Sequence, residues 1–141
     1  MPLARREDLL HPPANNAPDL RHRQVITVFP DQVVVLGPRQ LLVPYVDPGL
    51  SLSVVVRDSL VNFIREEGYT PKVIYLANHG IFALADTARE AYQITLMAEK
   101  VARILVQTLS FGEPKYLSPL EVERIHTRPD ELLRRRLLKD Q

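Results

Sequence analysis

Apolar positions in this chain fall into short blocks whose spacing shifts between strand-like and helix-like. Gln24 to Phe29 (QVITVF) and Gln32 to Gly37 (QVVVLG) are β-branched runs split by Pro30-Asp31, a pattern that predicts two strands in a hairpin. Leu41 to Val46 predicts a third short strand, and Pro44 puts it at an edge or a strand end. Asp47-Pro48-Gly49 then turns the chain. Leu52, Val55, Val56, Leu60, Phe63 and Ile64 recur at helical spacing, which predicts an amphipathic helix over Leu50 to Glu67 with Gly68 as a left-handed cap. Two buried-type strands follow, Lys72 to Ala77 and Ile81 to Ala85. They meet at Asn78-His79-Gly80, a tight reversal whose glycine tolerates positive φ.

Thr87 and Glu90 have the spacing of a capping box, with Asp86 a competing cap. The apolar set Ala91, Ile94, Met97, Ala98, Val101, Ile104 and Leu105 carries that helix to Leu109. It is apolar on more than one face, which predicts cover from two sides. Gly112 and Pro114 end it. Ser118-Pro119-Leu120-Glu121 is a second capping-box start, with proline in the first turn, and Thr127 to Asp130 begins a third helix with an amphipathic LLRRRLL tail. At the other end, His11 to Asp19 (HPPANNAPD) holds three prolines and two asparagines, which suits neither helix nor sheet interior. The expected organisation is a loosely structured lead over 1–23, a main domain over 24–112 and a helical tail over 113–141. Consecutive strands joined by tight turns predict an α/β layered domain with a mainly antiparallel sheet flanked by helices. No GxGxxG follows a strand, so a dinucleotide-binding fold is excluded.

Composition narrows the function classes. With 141 residues, 45% hydrophobic and 25% charged, the chain is of ordinary globular type, and extended disorder is excluded. Eighteen basic against 17 acidic side chains leave a net charge of +1, so bulk charge offers no nucleic-acid footprint. The absence of cysteine excludes a disulfide scaffold, a thiolate zinc site and a cysteine nucleophile. No apolar run approaches the ~20 residues needed to span a bilayer, and Met1 to Leu10 lacks an apolar signal-peptide centre. The expectation is a cytoplasmic chain that binds neither nucleic acid nor membrane.

Four histidines are the candidates for chemistry. His11 lies in the proline-rich lead, where a solvated loop residue is the plain reading. His22 sits in Arg21-His22-Arg23, a cationic cluster able to receive an anion or simply to face solvent. His126 falls near a helix C-terminus, where an imidazolium suits the dipole. His79 differs from these. Its turn accounts for Asn78 and Gly80 but not for a histidine, which is no particular turn former. A ligand or general base held on a rigid hairpin is the functional alternative to a structural role.

The stretch Val73 to Tyr92 (VIYLANHGIFALADTAREAY) resembles the second half of the class II aldolase/adducin family. Its members carry an apolar strand, Asn-His-Gly, another apolar strand, a small turn and a helix beginning Thr-x-x-Glu. Leu41 to Gly49 (LLVPYVDPG) resembles the Pro-Gly turn before the family's preceding helix, and Arg124 to Arg136 resembles the end of one subgroup. The likeness covers about residues 24–110. Ala85 departs from the family's usual glycine, at little cost if the backbone there keeps a negative φ.

The resemblance implies a partial class II aldolase-like fold. It also implies descent from metal-dependent aldehyde-lyases of carbohydrate metabolism, typically zinc enzymes that cleave or form a carbon–carbon bond in sugar phosphates. In the family two metal ligands come from a first-half His-x-His motif and the third from the Asn-His-Gly turn, which carries over onto His79. The metal stabilises the enediolate left by cleavage, and a first-half glutamate moves the proton. No His-x-His occurs in this sequence, and the family's phosphate-holding loops have no counterpart. A catalytic zinc takes three protein ligands and an open position; here one corresponds, and nothing in the sequence supports His22 as a second. The implied picture is a truncated domain, inactive alone and without tight zinc binding. Such a domain would be completed as a homo-oligomer or by a chain that supplies the missing half. The competing reading is a non-catalytic aldolase-fold interaction or assembly module, as adducin's head domain illustrates. With His79 at an exposed tip that packs against little, His79→Ala is expected to be nearly silent.

Overall fold

The computed structural model describes residues 27–139. The short strand β2 (Val73–Leu76) organises it, because alternate side chains enter two separate apolar clusters. Val73 and Tyr75 join one cluster and Ile74 and Leu76 the other. On one side of β2 lies β1 (Leu41–Val43), on the other β3 (Gly80–Ala83). Helix α2 (Leu50–Glu67) covers the face bearing Val43, Ile74 and Leu76 through Val55, Val56 and Leu60. The opposite face packs on α3 (Ala88–Leu109), whose Ile94, Ala98 and Val101 are buried against Val73, with Ile81 and Ala83 beside them. The result is an α/β arrangement with helices on both faces of the sheet.

The sheet is mixed. Strand β1 runs parallel to β2 in the register Leu41↔Ile74, Leu42↔Tyr75 and Val43↔Leu76, while β2 and β3 form the expected antiparallel hairpin. A mainly antiparallel sheet is therefore corrected. Between β1 and β2 stands α2, and a strand–helix–strand unit returns the chain to the same end, so its two strands run the same way. The bounds Leu50–Glu67 of α2 and its Gly68 cap, at φ 77, follow the sequence reading.

The second correction concerns Gln32 to Gly37. This run is helix α1 (Pro30–Leu36), not a strand, and no hairpin forms at Pro30-Asp31. Three local features favour the helix over the β propensity of its valines. Pro30 stands in the first turn, where its missing N–H costs nothing. Asp31 faces the positive end of the dipole. Gly37, at φ 87, closes the helix with its N–H on the Val33 carbonyl. Packing completes the choice, with Leu36 buried against α3 and Val33 and Val34 against Ile125 of α4 (Pro119–Thr127). Of the expected Gln24 to Phe29 strand, Gln24, Val25 and Ile26 lie outside the described residues. Thr27 to Phe29 belongs to no strand, and Phe29 is the N-cap of α1.

Ser118 caps α4 in a complete capping box with Glu121, as its spacing predicts, and α5 (Pro129–Lys139) follows. At α3, the Thr87 hydroxyl accepts from the Glu90 N–H, so Thr87 rather than Asp86 is the cap. The Glu90 carboxylate meanwhile pairs with Lys72 at 2.9 Å. Cover on two sides of α3 is not found among the described residues. Tyr92, Leu96, Val106 and Leu109 are exposed. Among the described residues, no helix is long and apolar enough to cross a membrane.

Candidate functional site

Parallel pairing places the ends of β1 and β2 side by side, so the loops leaving them meet. Val43 lies opposite Leu76, and the Ala77 N–H continues the pairing to the Val43 carbonyl at 3.0 Å. The loop after β1 carries Tyr45, Val46 and Asp47; the loop after β2 carries Asn78 and His79. In open α/β sheets this carboxyl edge is the usual place for a ligand.

The hairpin tip is a tight turn closed by the His79 N–H on the Leu76 carbonyl at 3.0 Å. Asn78 takes φ 60, the left-handed conformation that asparagine tolerates better than other non-glycine residues. Gly80 then takes φ 140, where a side chain would be strained even though the space around it is open. Asn78 is the described non-glycine residue at positive φ, so Ala85 stands on ordinary backbone and its departure from glycine is harmless.

His79 is exposed, as expected, but it does not stand alone. Its ring stacks on Tyr45, with centroids 5.1 Å apart and planes inclined by 15°. Its Nε2 lies 2.8 Å from the Val46 carbonyl oxygen. A carbonyl only accepts, so Nε2 donates and carries the proton. Tyr45 in turn donates its hydroxyl to the Asp47 carboxylate at 2.9 Å, which holds the phenol above its usual range by that hydrogen bond and by the charge. The expectation that His79 packs against little is therefore corrected. Tyr45 and Val46 were not singled out in the sequence. Their signal was available in the Pro44 to Gly49 loop at the end of a strand, but it needed the parallel register to acquire meaning.

The other candidates are not brought to this edge. His126 lies in the last turn of α4, where a cation suits the helix dipole. His11 and His22 lie outside the described residues. Among the described residues, no group of three or more histidine, cysteine, aspartate or glutamate side chains is placed to hold a metal ion. The described residues thus do not by themselves fit a zinc site. The imidazole at this edge is that of His79, and its Nε2 is engaged with a backbone carbonyl.

A 54-residue stretch is 39% identical to 5-deoxy-D-ribulose 1-phosphate aldolase of Bacillus thuringiensis serovar kurstaki, covering 38% of this chain and 25% of that protein. The fold is similar to the crystal structure of YgbL, a putative aldolase/epimerase/decarboxylase from Escherichia coli, with a TM-score of 0.55 and 24% identity. That likeness covers 73% of this chain and 45% of YgbL, so the chain spans less than half the length of either protein. The profile of the Class II Aldolase and Adducin N-terminal domain matches residues 10–106. On that match, with the Asn78-His79-Gly80 turn inside it, the chain belongs to the class II aldolase/adducin family.

Proposed function

We propose that this chain carries the C-terminal part of a class II aldolase-type domain, related to metal-dependent aldehyde-lyases acting on sugar phosphates, and that its own residues do not suffice for catalysis. The observation that carries this reading is the position of His79. It sits on a hairpin at the carboxyl edge of a parallel strand pair, inside the matched region, and among the described residues it belongs to no group of three or more side chains placed to hold a metal ion. Family membership brings a divalent metal, typically zinc, as the cofactor of a completed site. His79 is then the one ligand this chain contributes, and further histidines and an acid/base glutamate come from a complementary segment or another chain. A homo-oligomer, or assembly with a chain that supplies the missing half, is the corresponding partner state, and the cytoplasm the corresponding compartment.

The test is calorimetric titration of the purified chain with zinc, alone and after coexpression with a class II aldolase first half bearing His-x-His. The chain alone is expected to show no tight one-to-one site, because a single imidazole does not make the closed shell of a strong zinc site. The reconstituted pair is expected to bind zinc and to lose it on His79→Ala. A tight site in the chain alone that His79→Ala abolishes would overturn the reading of incompleteness. Should the reconstituted pair bind zinc equally well without His79, the assigned ligand is wrong.

A further inference from the structure

The contacts around His79 have a consequence beyond its correspondence to a ligand. The proton on Nε2 points at the Val46 carbonyl, and the ring face lies on Tyr45. A metal ligand needs a bare nitrogen lone pair, so the nitrogen held by Val46 is closed to a metal as long as the loop stays in place. Tyr45 is itself tied down by its hydrogen bond to Asp47, immediately before Pro48 and Gly49 lead into α2. These contacts form a chain from the hairpin tip through the imidazole to the loop that enters α2.

We infer that His79 closes a clasp between the β2–β3 turn and the loop 44–49, a self-masking contact in which the chain's own carbonyl occupies Nε2 and Tyr45 covers the ring. The clasp gives the imidazole a structural role in the metal-free chain. It also means that Nε2 becomes free only when the loop releases it. The inference does not depend on aldolase chemistry, because it concerns contacts made in the absence of metal.

Two measurements on the full chain in chelator test it. The first is a double-mutant cycle in urea between Tyr45→Ala and His79→Ala. Each single replacement is expected to lower the folding equilibrium constant about three- to tenfold, as for an aromatic contact or one hydrogen bond. The double variant is expected to fall little below the lower single variant. Strictly additive effects would overturn the clasp. The second is limited chymotrypsin digestion, following cleavage after Tyr45 against cleavage after Tyr116, which lies in a different loop. His79→Ala is expected to speed cleavage at Tyr45 by about threefold or more through local opening, with Tyr116 unchanged. His79→Gln, which keeps a donor near the Nε2 position, is expected to restore much of the protection. Equal Tyr45 cleavage in the parent chain and His79→Ala would overturn the inference, as would a parallel rise at both sites. Either failure leaves the zinc titration of the reconstituted pair untouched, so this inference and the aldolase-domain reading fail separately.

Discussion

Tyr75 shows how much depends on one atom. Its ring joins the cluster between β2 and α3, and its hydroxyl is buried with no hydrogen-bond partner among the described residues. A buried hydroxyl without a partner loses its water and gains nothing in return, at about 1–3 kcal/mol. Tyr75→Phe removes that group and keeps the ring, so the variant is expected to be more stable by about 1 kcal/mol in urea unfolding. The pH dependence has a definite sign. Burial raises the Tyr75 phenol above its ordinary value of 10.0, because the phenolate is disfavoured in apolar surroundings. Just above pH 10 the unfolded chain has lost this proton and the folded chain has kept it. The contribution to stability, complete below that pH, therefore falls as pH rises through the folded value. The advantage of Tyr75→Phe should widen above pH 10, and a gap that narrows there would contradict this account.

At the scale of elements, α1 is the instructive case. The side-chain amide of Gln32, fully buried, accepts from the Val28 N–H at 2.9 Å and donates to the Gln40 amide at 3.2 Å. Gln40 donates in turn to the Gly37 carbonyl at 2.9 Å. This ladder ties the approach to α1 to the segment that follows its end. Gln32→Leu keeps much of the volume but leaves the Val28 N–H and the Gln40 carbonyl without these partners. The expected cost is on the order of 2–4 kcal/mol, from the buried Gln40 side-chain carbonyl at about 1–3 kcal/mol and the half-buried Val28 N–H at the low end of that range. Urea unfolding checks it, and a loss below about 0.5 kcal/mol, the range of an ordinary surface change, would show that the ladder contributes little. The run Val33-Val34-Val35 predicts strand by its β-branched side chains, yet it is helix. Helix propensities differ by only tenths of a kcal/mol for such residues, whereas burying a valine against another helix contributes about 1.5–3 kcal/mol. Packing therefore wins. The caps of α2, α3 and α4 were legible, because Gly68, Thr87 and Ser118 act through their own backbone or their immediate neighbours.

For the whole molecule, α3 and the sheet edges offer apolar and unpaired surface among the described residues. Tyr92 is 64% exposed and Val106 68% exposed on α3, and β1 and β3 each pair on one side within the described sheet. Unpaired edges and apolar side chains in water favour association. The chain is therefore expected to self-associate or to require a partner, and light scattering should report a mass above the 16.1 kDa of one copy. Leu96→Glu with Val106→Glu should shift the distribution toward the single chain if α3 lies in the interface. A stable, monodisperse species of 16.1 kDa from the parent sequence would refute the expectation.

The sequence by itself determined α2, the β2–β3 hairpin, α3 and the capping of α4. It also marked His79, because helical spacing, turn residues and caps are encoded within a few positions of one another. Family membership was legible for the same reason, since the strand, Asn-His-Gly, strand and Thr-x-x-Glu helix are contiguous. Tertiary structure decided what depends on distant residues meeting. It turned Gln32 to Leu36 into a helix by burying Val33, Val34 and Leu36 against α4 and α3. It made the sheet mixed, because the helix between β1 and β2 returns the chain to the same end. Only that parallel register brings Tyr45 and Val46, more than thirty positions earlier, onto the imidazole of His79. Spacing along the chain records neighbours in sequence, and the surroundings of His79 are set by neighbours in space.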